Sequence, residues 1–215
     1  MKLYGYYRSS TSYRTRIVLN LKEIRYDYVP VALDRGEQQG EAFCKLNPMG
    51  AVPALASDDG LFVQSPAIIE YLEERHPEPP LLPAEPAGRA RVREVAALIA
   101  CDIHPVNTLR VMRYIGEHYG QDPAGIGEWY GHWIHAGFGP LERLLAARSA
   151  DGRHCIGDAL TLADAYLVPQ VYNARRFGVP LDGYPTIVSV DAHCAALPAF
   201  AAAHPDRQPD APEAA

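Results

Sequence analysis

Between Tyr7 and Arg14 the chain places four hydroxyl residues in a row, Ser9-Ser10-Thr11-Ser12, with Arg8 before them and Arg14 just beyond. They stand where a short β-like run ends and helical spacing begins. A helix start presents unpaired backbone N–H groups and the positive end of the helix dipole, so it attracts an anion. A hydroxyl at that place can donate to a thiolate and lower its pKa, as helix starts do for cysteines. An ordinary N-cap needs only one Ser or Thr. The flanking arginines add planar forks suited to carboxylates.

Two further segments could frame a ligand. Asn47-Pro48-Met49-Gly50-Ala51-Val52-Pro53-Ala54-Leu55 brings a proline to the entry of an apolar run. Proline has no N–H for a ladder, so Pro53 belongs at an edge or a turn. A cis Val52–Pro53 bond would turn the Val52 backbone outward, where it could pair with a peptide-like ligand. Gln64-Ser65-Pro66 ends a strand and opens a helix, with Ser65 as N-cap and Pro66 at the first helical position. The same helix start could hold a carboxylate, with Gln64 addressing an amine or amide beside it. Later in the chain, His104-Pro105 lies near Asp102, where the proline frees a backbone carbonyl; His104 could touch a ligand or be structural. Thr161-Leu162-Ala163-Asp164 has the form of a capping box and is assigned to folding. The histidines show no HxxxH or HExxH spacing and the cysteines no CxxC pair, so the sequence predicts no metal site.

The elements that must position these residues follow from periodicity. Leu3–Tyr7 and Tyr26–Val31 read as strands, with a helix between them that carries Ile17, Val18 and Leu21. A short helix over Ala42–Leu46 is stopped by Asn47-Pro48. Val52–Ala56 and Leu61–Val63 flank Asp58-Asp59-Gly60, a hairpin signal. A helix from Ser65-Pro66 carries Ile68, Ile69 and Leu72 on one face and stops at Pro77. The order βαβ-α-ββα predicts a mixed four-stranded sheet. A proline-rich linker follows, and beyond it only helical spacing remains: Arg89–Ile103, a stretch through Val106–Ile115 after the break at Pro105, Ile126–Ala147, Thr161–Phe177 and Val188–Ala203. The reading is an α/β domain over 1–78, a linker over 79–88, an all-helical domain over 89–204, and a surface tail over 205–215 that is Pro- and Asp-rich.

Composition narrows the function classes. The 215 residues are 48% hydrophobic and 21% charged, enough for a real core. A net charge of −6 gives no basic footprint for nucleic acid. No apolar run approaches the ~20 residues of a membrane span. The cysteines Cys44, Cys101, Cys155 and Cys194 stand far apart, as suits a reduced, cytoplasmic protein better than a disulfide framework.

These segments, in this order, resemble the glutathione transferase superfamily: a thioredoxin-like domain, then a helical bundle, with a Val-Pro turn, Gln-Ser before a helix, and a Thr-x-x-Asp box. The resemblance is closer to the zeta class, the maleylacetoacetate isomerases. It rests on Arg8-Ser9-Ser10-Thr11-Ser12-Tyr13-Arg14-Thr15-Arg16, on Leu46-Asn47-Pro48-Met49, on Gln64–Glu74, on Leu167-Val168-Pro169-Gln170-Val171 and on His204-Pro205-Asp206-Arg207-Gln208-Pro209-Asp210. Thr11 stands where the class usually has cysteine. The maleylpyruvate isomerase branch is more similar there, and in Cys101–Pro105.

The resemblance implies glutathione as cofactor and cis–trans isomerisation of a maleyl ketoacid, by reversible addition of the glutathione thiolate. Ser9, Ser10 and Thr11 would surround the sulfur, with Ser9 as thiolate donor. Val52, before a cis Pro53, would pair with the cysteinyl backbone. Gln64 and Ser65 would hold the γ-glutamyl end, and Gln38 and His104 would add contacts. Arg8, Arg110 and Arg176 would bind the dianionic substrate. It also implies a homodimer. The alternative is a general transferase that conjugates or dehalogenates small electrophiles such as haloacids; a binding-only module would have no need of the Ser9–Thr11 and Gln64–Ser65 features.

Overall fold

A computed structural model describes residues 1–212. The chain divides into two compact units, one formed by Met1–Leu81 together with the chain from Ala196 onward, the other by Leu82–Ala195.

In the first unit, strand β1 (Lys2–Gly5) leads to helix α1 (Ser10–Leu21), β2 (Asp27–Pro30), a 3-10 turn at Glu37–Gln39 and α2 (Glu41–Leu46). Then come β3 (Ala54–Ser57), β4 (Gly60–Val63) and α3 (Ser65–Arg75). The sheet order is β2-β1-β3-β4, with β1 parallel to β2 and antiparallel to β3, as the predicted mixed sheet requires. Alternation along the strands sends side chains to both faces. Leu3 and Leu55 are buried along with Ile17 and Val18 of α1 and Ile68 and Ile69 of α3. Val31, Phe43 and Ala54 form a second cluster with Tyr4, Val52 and Val63. The sheet is therefore covered on both sides.

The far ends of α1 and α3 are tied by a buried ion pair. Lys22 Nζ lies 2.7 Å from Glu73 Oε2. Lys22 also donates to the carbonyls of His76 (2.6 Å) and Pro79 (3.0 Å), while Glu73 accepts from the Leu81 N–H at 3.0 Å. Each charge thus has several partners, which a buried pair needs to offset desolvation.

Two differences from the sequence reading concern the chain after Val188. Helical spacing predicts one helix there, but α8 (Pro185–Ala195) ends before a separate α9 (Pro198–Ala203). Pro198 lacks the N–H a continuing helix would need, and it suits a first helical position instead. The predicted surface tail is tied down as well over its described part, 205–212; residues 213–215 lie outside the described residues. α9 packs on α1, Pro205 and Gln208 are buried, and Gln208 Nε2 donates to Ala202 O and His204 O at 3.0 and 2.9 Å.

The second unit is helical: α4 (Pro86–Ala97), a π-helical turn over Leu98–Ile103, a 3-10 turn over Pro105–Asn107, α5 (Leu109–Tyr119), α6 (Pro123–Arg148), α7 (Leu162–Arg176) and α8. The helix predicted to start at Arg89 starts at Pro86, another proline tolerated in a first turn. The stretch Pro86–Tyr119 is long and apolar enough by composition to cross a membrane, which the sequence reading did not anticipate. It is broken at Pro105, and Val92, Val95, Ile99 and Ile103 on it are buried in this unit's core. Gly137 of α6 is required by close approach, because a Cβ there would sit 2.2 Å from Ile103 Cγ1. The capping box predicted at Thr161–Asp164 is present. Buried Asp164 accepts from Thr161 N (2.7 Å), Thr161 Oγ1 (3.1 Å) and Cys155 N (2.7 Å).

Lys22→Met is expected to cost about 3–5 kcal/mol, since it removes the cation that faces the buried Glu73 carboxylate. Adding Glu73→Gln should recover much of that loss, because an acceptor remains for the Leu81 N–H. Urea unfolding of both variants measures this; equal losses would show that the ion pair is not what ties these helices.

Candidate functional site

The sheet register brings the singled-out segments of the first unit to one edge. Ala54 pairs with Tyr4 of β1 on one side and with Val63 of β4 on the other. The chain leaving β1 (Tyr6–Ser9), the chain entering β3 (Val52–Pro53) and the chain leaving β4 (Gln64–Ser65) therefore meet at that end. In sheets with parallel strands, this carboxyl end is where ligands bind.

Ser9 is the N-cap of α1, with extended φ/ψ of −70° and 119°. Its Oγ accepts from the Ser12 N–H at 3.2 Å and lies 2.8 Å from Thr11 Oγ1. Thr11 Oγ1 donates to the Val52 carbonyl at 3.0 Å. A hydroxyl has one hydrogen. Because that of Thr11 is committed to Val52, the contact between the two hydroxyls is Ser9 donating to Thr11. The Ser9 hydrogen can rotate away to a better acceptor without disturbing the cap, which uses the oxygen's lone pair. Ser10 is buried at 4% exposure in the first turn.

Val52–Pro53 is a cis peptide bond, as the family resemblance implies. The loop before it is shaped by Asn47, which donates to Ala51 O at 2.6 Å and accepts from the Met49 N–H at 3.1 Å. Gly50, at φ +56°, packs so close to the 3-10 turn that a Cβ would meet Gln39 Nε2 at 2.6 Å. Gln38 is brought against this loop, and its Oε1 is buried with no hydrogen-bond partner among the described residues. A buried, unpaired amide oxygen is costly and points to a donor supplied from outside the chain.

At α3, the predicted cap is displaced by one residue. Gln64, not Ser65, is the N-cap: its carbonyl accepts the first helical bond from Ile68 N at 3.0 Å, and Ser65 is the first helical residue. Gln64 has φ +69°, a region that strains any side chain other than glycine and is concentrated at functional sites. The turn leaves the Gln64 side chain exposed and Ser65 buried.

Arg8 lies over two rings, its guanidinium carbon 6.0 Å from the Tyr6 centroid and 5.7 Å from that of Tyr7. Burial and a hydrogen bond with Tyr7 push the Tyr6 phenol up to about 12, so it is neutral and keeps its O–H to donate. His104, Arg110 and Arg176 belong to the helical unit. His104 is half-buried between the π-helical and 3-10 turns. Arg110 is exposed near the start of α5, and exposed Arg176 stacks on Phe177 at 4.6 Å.

Burial pushes the Cys155 and Cys194 thiols up, and the Asp164 charge adds to this. Neither is a nucleophile near neutral pH. His154, Asp164 and Cys194 do place ligand atoms within 4.8 Å of one another, a grouping with no sequence spacing to announce it. The Asp164 oxygens there are already engaged, Oδ2 in the cap of α7 and Oδ1 by the Cys155 N–H.

Sequence reasoning missed two residues bearing on the site. Arg16 is fully buried and holds the Tyr7 carbonyl at 2.9 Å, and Asp210 accepts the Tyr7 N–H at 2.9 Å. An arginine inside the apolar pattern of α1 was the available signal.

Residues 3–80 match the family model described as the glutathione S-transferase N-terminal domain. A maleylpyruvate isomerase of Ralstonia sp is 52% identical over 98% of this chain and 99% of its own length. A maleylacetoacetate isomerase of Pseudomonas aeruginosa is 51% identical over the whole of both. Among solved structures, the holo form of a maleyl pyruvate isomerase, a bacterial glutathione S-transferase of the zeta class, superposes with a TM-score of 0.96 at 52% identity, covering 99% of this chain and 100% of that one. A maleylacetoacetate isomerase from Methylobacterium extorquens AM1 with bound malonate and glutathione gives 0.94 at 42% identity, with coverages of 99% and 100%.

Replacing the cap separates its structural part. Ser9→Ala should lower stability by about 1 kcal/mol, whereas Ser9→Asp, an equally good cap, should stay within about 0.5 kcal/mol of the parent. Thermal unfolding of the two variants checks the order; a Ser9→Ala protein as stable as the parent would remove Ser9 from the cap.

Proposed function

We propose, on the premise that this chain belongs to the glutathione S-transferase family and to its zeta-class maleylpyruvate and maleylacetoacetate isomerases, how its residues carry out the reaction. The protein is a glutathione-dependent cis–trans isomerase that converts a maleyl ketoacid to its fumaryl form. The single observation behind the residue assignments is the hydrogen-bonded series Ser9–Thr11–Val52 O at the start of α1. It gathers a rotatable donor, a helix dipole end and a strand-edge backbone in one place.

The first unit fits the cofactor on its own geometry. The orphaned Gln38 Oε1 awaits a donor, the Val52 backbone can pair with a peptide, and the α3 start with Gln64 and Ser65 suits an amino-acid carboxylate and amine. The chemistry glutathione supplies when bound is a thiolate that adds reversibly to the conjugated double bond, whose order falls so that it can turn.

The chain's own part is electrostatic. Ser9 turns its O–H from Thr11 to the sulfur, and the N–H groups of α1 around Ser10 and Thr11 add their dipole, so the sulfur stays ionised. Arg8 holds a substrate carboxylate or the oxygen on which negative charge grows during the reaction. Arg8 is already oriented by its two rings. The working protein is a cytoplasmic homodimer. A conjugating or dehalogenating activity is the second reading; Thr11 offers no second thiol, so a route through a mixed disulfide at that position is closed to it.

A spectroscopic isomerase assay with maleylpyruvate and with maleylacetoacetate, each with and without glutathione, tests the reading. Turnover should require glutathione without consuming it; stoichiometric loss would instead support the transferase. Ser9→Asp should lower turnover about 10²–10³-fold while leaving the fold intact, since it removes a donor from the developing charge. Arg8→Ala should keep glutathione affinity and lose turnover, and unchanged turnover would end its substrate role.

A further inference from the structure

The turn that carries Ser9 is held from behind by Arg16 of α1 and by Asp210, 203 residues beyond Tyr7. Tyr7, two residues before Ser9, has both backbone groups engaged from outside its own segment. Its N–H donates to Asp210 Oδ2 at 2.9 Å and its carbonyl accepts from Arg16 Nη2 at 2.9 Å. Arg16 Nη1 also reaches Tyr6 O at 3.4 Å, the carbonyl that accepts the Ser9 N–H at 3.0 Å. Two fixed points thus set where the chain enters α1.

Both points are anchored by the end of the chain. Arg16 Nε donates to Ala203 O at 3.0 Å, at the end of α9. Its guanidinium carbon lies 5.6 Å from the Tyr13 ring centroid and 5.9 Å from that of Tyr28. Asp210 accepts from Tyr28 Oη at 3.3 Å. Gln208 clamps the segment in between to the carbonyls of Ala202 and His204. The Asp210 carboxylate lies in the field of the buried Arg16 guanidinium and counteracts the desolvation that burial imposes on it. The other carboxylate oxygen, Oδ1, is buried with no hydrogen-bond partner among the described residues. Such a charged group, half satisfied, is expensive for a loose tail.

We propose that Gln208–Asp210 is a strap that fixes the Tyr7–Ser9 turn, and that Asp210 is a positioning residue for the sulfur-activating hydroxyl of Ser9. Asp210 is bonded to the backbone that sets the cap and acts through it. The role rests on the reading that Ser9 addresses glutathione sulfur. A hydroxyl displaced by a fraction of an ångström donates less well to a thiolate, and misplacement of about 1 Å can cost 10²-fold in rate.

The test compares the full-length parent with Asp210→Ala, Asp210→Asn and Tyr28→Phe, each checked for an intact fold by its melting curve. Amide hydrogen exchange is read first, without glutathione. Exchange at Tyr7 should rise about tenfold or more in Asp210→Ala, less in Asp210→Asn, which keeps a neutral acceptor, and least in Tyr28→Phe. The thiolate fraction of bound glutathione, read by ultraviolet absorbance, should fall in the same order, and turnover should fall about tenfold in Asp210→Ala. Unchanged exchange at Tyr7 would overturn the strap. Faster exchange with an unchanged thiolate fraction would overturn the positioning role and leave only a structural tie. A parent protein that takes up no glutathione would overturn the functional reading and the positioning role with it, while the exchange result would still decide the strap.

Discussion

The open N-terminus of α1 is the constraint on which the first unit depends. Four N–H groups at a helix start lack intrahelical partners. Filling them with side chains would stabilise the helix and close it to any anion. One of them, the N–H of Ser12, is spent on the side chain of Ser9. The backbone just before the helix is pinned instead. Ser9 N–H is bound to Tyr6 O, and Arg16 and Asp210 hold Tyr7. Order is imposed behind the helix start so that its front can remain available.

That division explains why so much charge is buried on the far side from the site. Arg16 inside α1 and Lys22 at its end are each surrounded by carbonyl acceptors, and Lys22 has Glu73 besides. An apolar side chain at either position would pack well, but it could not gather carbonyls from segments that have no regular secondary structure. Arg16 links Tyr6, Tyr7 and Ala203; Lys22 links Glu73, His76 and Pro79. Each cation thereby ties together backbone groups of separate segments.

What the sequence shows of this depends on how each feature is encoded. The βαβ order and the hairpin at Asp58-Asp59-Gly60 were legible because periodicity and turn residues speak locally. So was the Thr161–Asp164 cap, whose partners are three residues apart. The Ser9 run stands out in the sequence because four hydroxyls exceed what a cap uses. The break before α9 was not, since an alanine-rich stretch keeps its helical spacing across Pro198. The shift of the α3 cap to Gln64 was hidden because a left-handed backbone at a residue other than glycine leaves no compositional mark. The tail was misread for another reason: it docks through Gln208 and Asp210 on backbone groups, which no measure of hydropathy registers. That Gln38 carries an orphaned oxygen could come only from coordinates.

The protein's thiols sharpen the division of labour between chain and cofactor. Burial makes Cys155 and Cys194 inert, and none of the four cysteines stands in the Ser9–Ser12 run. Addition to a carbon–carbon double bond needs a soft nucleophile that can also leave, which a serine hydroxyl is not. On the proposed function, the chain contributes a place where an imported sulfur is kept ionised. The proposed substrate is a dianion, and a protein of net charge −6 has an overall field that opposes it. Attraction must then come from single cations whose charge is not already neutralised. Arg8 meets that condition: its guanidinium rests against the faces of Tyr6 and Tyr7. A ring face orients a cation without cancelling its charge as an adjacent carboxylate would. Because Arg8 lies between Tyr7 and Ser9, whatever fixes the Tyr7 backbone fixes the fork and the hydroxyl together.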